Sequence, residues 1–376
     1  MGILTHTQIA ALRAAGGITA RAPWDPIQLQ PTSLDLRLGE QALALRAGFL
    51  PSRGPVEALA APLVEERLDL RAGAVLRRGR VYLVRLLEDL ALPADLSARA
   101  NPRSSTGRID VFTRTVVDRH NRFDDIPAGY TGPLWLEVVP RSFDVRVTTG
   151  QRLNQARFVA GPAVLDDAEL AERVVRDRLL LPEAVDDAGG DAPGPATRIE
   201  PATRIEQGSL LMGLSLRPER PGDPVGWRAR AGTPVLDLAR VGGHAPEDFF
   251  EPVFPDADGT LVLQPEAFYI LASAERLRVP PDLAAEMLAW DVGMGELRTN
   301  YAGFFDSGFG WDEQGSRAVL EVRAHDVPFR VDHGQPIFRL QFSRTVEPCE
   351  RLYGGVGSAY QNQGLALARY FRAPRA

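Results

Sequence analysis

Arg103-Ser104-Ser105-Thr106-Gly107-Arg108 places two guanidiniums, the hydroxyls of two serines and a loop glycine within six residues. A short run downstream, Leu134-Trp135-Leu136-Glu137-Val138-Val139, embeds one carboxylate among apolar side chains. A cationic, hydroxyl-rich turn suits a polyphosphate, because planar guanidiniums and short donors match phosphate oxygens. A carboxylate among apolar neighbours suits proton transfer to and from water, since desolvation favours its neutral form. In a strand, Trp135, Glu137 and Val139 share one face, so Glu137 is expected to be partly desolvated.

The elements that must hold these residues are mostly strands. Thr5–Gly16 has helical spacing around Ile9 and Leu12, stopped by Gly16-Gly17. After it, short alternating segments such as Ser33–Leu38 and Val81–Val84 are cut by glycine and proline, which reads as an all-β pattern. The chain also repeats itself. Leu136-Glu137-Val138 matches Leu320-Glu321-Val322, Gly150-Gln151 matches Gly334-Gln335 and Phe158 matches Phe342, each at an offset of 184 residues. Leu92–Leu96 resembles Val279–Leu283 at an offset of 187. The reading is a mainly β protein of two tandem copies: residues 1–181, a connector 182–207, and residues 208–376. A helix is expected over Leu165–Leu181, with Leu170, Val174, Val175 and Leu179 at helical spacing. The connector is rich in Ala, Gly, Pro and Asp and contains Pro-Ala-Thr-Arg-Ile-Glu twice, which cannot bury a core.

At the upstream offset Arg103-Ser104-Ser105 aligns with Trp290-Asp291-Val292, and Arg108 falls on Gly295. The second copy therefore keeps a carboxylate, Glu321, without the cationic turn. That predicts one working copy and one scaffold copy, with Glu137 active and Glu321 silent.

Composition excludes several chemistries. All 43 basic residues are arginine, so neither a P-loop lysine nor a Schiff-base lysine exists. Cys349 stands alone, so no intrachain disulfide and no multi-cysteine zinc site can form. The five histidines lack metal-ligand spacing. A net charge of −6 argues against a general nucleic-acid binder, and no apolar run approaches membrane length. Met1–His6 has neither the basic segment nor the apolar core of a secretory signal, so the cytoplasm is the expected location.

Five motifs in order resemble the dCTP deaminases of the trimeric dUTPase-like superfamily. They are Gln30–Gly39, the Arg103–Arg108 turn, Ile109-Asp110-Val111 with Val116-Val117-Asp118, Gly150–Leu153, and Tyr360-Gln361-Asn362-Gln363-Gly364. The resemblance implies two dUTPase-like distorted β-barrel or jelly-roll domains with a few short helices. It implies hydrolysis of dCTP to dUTP and ammonia, supplying dUMP and dTTP synthesis, by a zinc-independent enzyme whose Mg2+ arrives on the triphosphate with no protein metal site. Glu137 would be the proton shuttle, Ser104 would orient water and Arg108 would steady the charge. Arg103, Ser105, Thr106, Gly107, Asp118, Trp135, Tyr353, Tyr360 and Gln363 would bind nucleotide, with Asp118 on the sugar 3′-hydroxyl. The expected ligands are dCTP, dUTP and dTTP, with no nucleic acid or membrane partner, and the expected assembly is a homotrimer. Alternatives are a dUTPase, a bifunctional enzyme taking dCTP to dUMP, or a non-catalytic nucleotide sensor.

Overall fold

In a computed structural model of the chain, the residues described are 1–181, 204–289, 297–300, 303–355 and 360–372. The alternating segments form strands, and the two copies order them identically. In the first copy the neighbours run 111–116, 131–140, 81–91, 34–45, 152–160, 96–102 and 125–126. In the second they run 297–300, 316–324, 268–277, 209–215, 336–344, 283–289 and 304–305. The expected mainly β, two-copy architecture with few short helices is present. One buried carboxylate repeats with it: Glu88 accepts from the Arg37 backbone N–H at 2.8 Å, and Glu275 accepts from that of Gly213 at 3.0 Å.

Helices are short. The first spans His6–Ala14 behind Thr5, and the second long enough to matter spans Asp167–Arg176, shorter than expected. Asp166 caps it, accepting from Glu169 at 2.9 Å. Leu170 and Val174 are buried, whereas Val175 points outward at 68% exposure. Its apolar face packs into the second core beside Leu210 and Leu340, so by packing the helix belongs with the second copy. Most of the expected connector lies outside the described residues. Its end, Ile205–Glu206, is a strand paired with Ser209–Leu210, and the Arg204 guanidinium binds the buried Glu275. An arginine that neutralises a buried carboxylate is held firmly in place.

The copies are fused by more than the connector. Val145 and Arg146 pair in parallel with Leu236 and Asp237, and Ile3 bridges to Thr345. The C-terminal segment returns to the first copy, where Leu367, Tyr370 and Phe371 enter its core. Phe371 meets Phe249 and Phe250 edge-on with centroids 5.4 Å apart. Among the described residues, no helix is long and apolar enough to cross a membrane.

Candidate active site between the copies

The Arg-Ser-Ser turn sits at the end of strand Leu96–Pro102. The Arg103 carbonyl accepts from Thr106 at 2.7 Å and Gly107 at 3.0 Å, winding Ser104–Gly107 into one helical turn. That turn presents Arg103, Ser104, Ser105 and Arg108 to a cavity and buries Thr106 and Gly107 behind it. The buried Ser105 hydroxyl has no hydrogen-bond partner. Donors left open beneath a cavity are what a bound polyanion would satisfy.

The opposite wall comes from the second copy. Phe304, Phe305, Asp306 and Phe309 line it, as do Val319 of strand Ser316–Ala324 and the C-terminal residues Tyr353, Tyr360, Gln363 and Arg369. Tyr360 lies under the Arg108 guanidinium at 3.9 Å, and Arg108 donates to the Ala366 carbonyl at 3.0 Å. The lid residues therefore close over the turn of their own chain. Gln363 is held by donation to the Arg317 carbonyl at 3.0 Å.

Asp35, from the Gln30–Gly39 motif, closes the cationic end. It is buried, 3.1 Å from Arg103 and 3.9 Å from Arg152, and burial raises it to about 6 against the pull of those arginines. Asp306 accepts from Ser33 at 3.3 Å and Arg157 at 3.2 Å, and Thr32 also donates to it.

The two repeated glutamates differ sharply. Glu321 shares a strand face with Val319 and is buried just behind the cavity wall. Burial lifts its carboxyl to about 8, despite the attraction of Arg108, and Asp110 raises it further. One of its oxygens has no hydrogen-bond partner. A buried, nearly neutral carboxyl beside a fixed cation is a site where a proton can be held and returned.

Glu137 does not lie with Ser104 and Arg108 within the chain. Arg114 stands opposite it in the strand register and donates from Nε at 2.8 Å. Residue Gly48 covers it so closely that a Cβ there would come within 2.6 Å of its Oε2. Opposite Glu321 the strand register places Asn300, the counterpart of Arg114 opposite Glu137.

Two further expected residues lie elsewhere. Asp118 is off the cavity, where its carboxylate accepts from the Val56 N–H at 2.8 Å and caps the helix Val56–Ala60. Trp135 lines a different cavity, with Arg85 and Leu43. The structure does bring together Arg103, Ser104, Ser105, Arg108, Tyr353, Tyr360 and Gln363. Sequence reading missed Asp35, Asp306, Val319 and Arg369. Register shows why for Asp306: Ala98 pairs with Ile126 and Ala285 with Phe305, so the first copy has Pro127 where the second has Asp306. The Trp290–Val292 alignment falls outside the described residues.

Residues 1–162 match the family model of the 2′-deoxycytidine 5′-triphosphate deaminase N-terminal domain, and residues 196–371 match that of the C-terminal domain. A dCTP deaminase of Haloarcula marismortui is 31% identical over 175 residues, covering 46% of this chain and 87% of that protein. A "dCTP deaminase, dUMP-forming" of Acidothermus cellulolyticus is 28% identical over 156 residues, covering 41% and 77%. The crystal structure of 2′-deoxycytidine 5′-triphosphate deaminase from Agrobacterium tumefaciens is 42% identical, covers 93% of this chain and 99% of its own, and superposes with a TM-score of 0.83. The chain belongs to the 2′-deoxycytidine 5′-triphosphate deaminase family, in a duplicated form.

Proposed function

We propose that the chain hydrolyses dCTP to dUTP and ammonia at one composite site, with the turn of the first copy facing the carboxylates of the second. The observation that carries this is the buried Glu321, with Asn300 opposite it in the strand register and the charge of Arg108 from the other copy acting on it. The protonated Glu321 gives its proton to the ring nitrogen and takes one from the water as the oxygen bonds to C4. It passes that proton to the amine, the C4–N bond breaks to release ammonia, and the proton of the C4 hydroxyl returns to Glu321 as the carbonyl forms. Ser104 orients the water, and Arg108, fixed by Tyr360 and the Ala366 carbonyl, stabilises the charge that develops. Arg103, Ser105 and Arg369 take the phosphates. Asp306 takes the place first expected of Asp118 as acceptor for a sugar hydroxyl.

The substrate enters as its Mg2+ chelate, and the proton chemistry rests on the carboxylate rather than on zinc. The same reading makes the protein a cytoplasmic enzyme of deoxynucleotide metabolism, built from dUTPase-like copies and assembled as a homotrimer. Each chain brings its own complete site. Asp35 favours a second reading, in which the phosphate end also works. It is a buried carboxyl with both oxygens lacking hydrogen bonds, next to Arg103, and a water held there would take the product on to dUMP.

Incubation with dCTP and separation of products tests these readings. dUTP with ammonia supports the first, dUMP with pyrophosphate and ammonia supports the second, and unchanged dCTP overturns both.

A further inference from the structure

Asp110 follows the catalytic turn by two residues and holds a left-handed φ of 54°, an unusual backbone state for a non-glycine residue. It is buried, and its carboxylate accepts from Ser142 at 2.6 Å within its own copy. The same carboxylate binds Arg323 of the second copy, and Arg323 also donates to Ser142 at 3.1 Å. Arg323 lies on the strand of Glu321, two residues further along and on the same face. It is gripped from its own side by the Glu266 carbonyl and the Phe268 ring, and Arg141 reaches across to Glu266 at 3.4 Å. In the first copy the position equivalent to Arg323 is Val139, so no such contact is repeated there.

We propose that Asp110 and Arg323 are a positioning pair that sets the Glu321 carboxylate against Arg108 across the boundary between the copies. Arg108 and Asp110 are two residues apart on one side, and Glu321 and Arg323 are two residues apart on the other. One buried ion pair therefore fixes the spacing of the two groups that must act together. Its charged surroundings are Arg141 and Arg108 from the first copy and Glu266 and Glu321 from the second. The pair touches no substrate. It acts through Glu321, and so rests on the deaminase reading above.

The test is steady-state kinetics of the full chain with Asp110→Asn, Arg323→Gln and the double variant. Misplacing reacting groups by about an ångström costs up to roughly 100-fold in turnover, so Asp110→Asn should lower kcat by about 10- to 100-fold while KM for dCTP shifts less than about threefold. The double variant should lose no more than the worse single one, because both break the same contact. Unchanged kcat in Asp110→Asn, or losses that multiply in the double variant, would overturn the proposal. Should Asp110→Asn fail to fold, Ser142→Ala leaves the charges in place and removes only the shared hydroxyl. A several-fold fall in kcat then supports the pair, and an unchanged kcat overturns it. Hydrogen exchange keeps this outcome separate from the fate of the deaminase reading. Faster exchange in residues 104–110 and 316–324 of Asp110→Asn supports the pair whatever the reaction, and unaltered exchange sinks it. A wild-type chain that releases no ammonia sinks the activity alone.

Discussion

Arg114 binds the Glu137 carboxylate from the strand directly opposite, and that one contact separates the two copies chemically. Glu137 is held by that guanidinium across the strand pair. Glu321, at the same place in the repeat, has burial in place of that arginine, and its carboxyl rises to about 8. Identical tripeptides on equivalent strands thus face different cross-strand partners, Arg114 and Asn300.

Glu321→Gln should lower turnover of dCTP by roughly a thousandfold while leaving nucleotide affinity nearly intact, since the amide keeps size and hydrogen bonding but cannot exchange the proton. Glu137→Gln should keep kcat within a few-fold and destabilise the fold by about 1–3 kcal/mol, by leaving Arg114 without its counter-charge. Paired rate and unfolding measurements decide it. The reverse pattern would return the catalytic role to Glu137.

Stability should report the same carboxyl. A folded-state value raised from 4.5 to about 8 means that the native chain holds a proton which the unfolded chain releases. Its contribution is therefore favourable at low pH and is lost as pH climbs from about 4.5 to about 8. The slope is about 1.4 kcal/mol per pH unit for one proton. Melting curves of wild type and Glu321→Gln should diverge across that window, with the variant gaining relative stability at the alkaline end. Parallel curves would show that Glu321 titrates normally.

Tyr360→Leu should preserve the fold and reduce kcat/KM about 5- to 30-fold, from about 1–2 kcal/mol of lost cation–ring attraction at Arg108. Activity assays on the variant and on a chain ending at residue 355 should fall in the same order as lid contact is removed. A truncated chain with full activity would show that the C-terminal segment merely packs.

Asp306→Asn should raise KM for dCTP by about 10- to 100-fold with a smaller effect on kcat, because a charged acceptor for a hydroxyl contributes about 1.5–3 kcal/mol. Kinetics with dCTP and with its 3′-deoxy analogue check the assignment. The variant and wild type should handle the analogue alike. A difference retained on the analogue would move Asp306 away from the sugar.

Much of this was legible in the sequence, though unevenly. The 184-residue offset, the Arg-Ser-Ser turn and the C-terminal Tyr-Gln-Asn-Gln-Gly segment announced the repeat and one half of the cavity. Which glutamate meets the turn was not legible. The sequence favoured Glu137 because the turn lies in its own copy, whereas the cross-strand partners, Arg114 and Asn300, emerge only from the strand register. Register of that kind depends on hairpin lengths, and these differ between the copies. The extra residues around Arg119–Asp124 likewise shift the first copy, so the equivalence of Pro127 and Asp306 was hidden until the register was seen. The lid could not be assigned to its own chain until Tyr360 was seen beneath Arg108.

Pro127 in one copy and Asp306 in the other have a consequence for separating the halves. The first copy supplies the cationic turn and the second supplies Asp306 and the C-terminal segment, so on the composite-site reading neither half expressed alone would turn over dCTP.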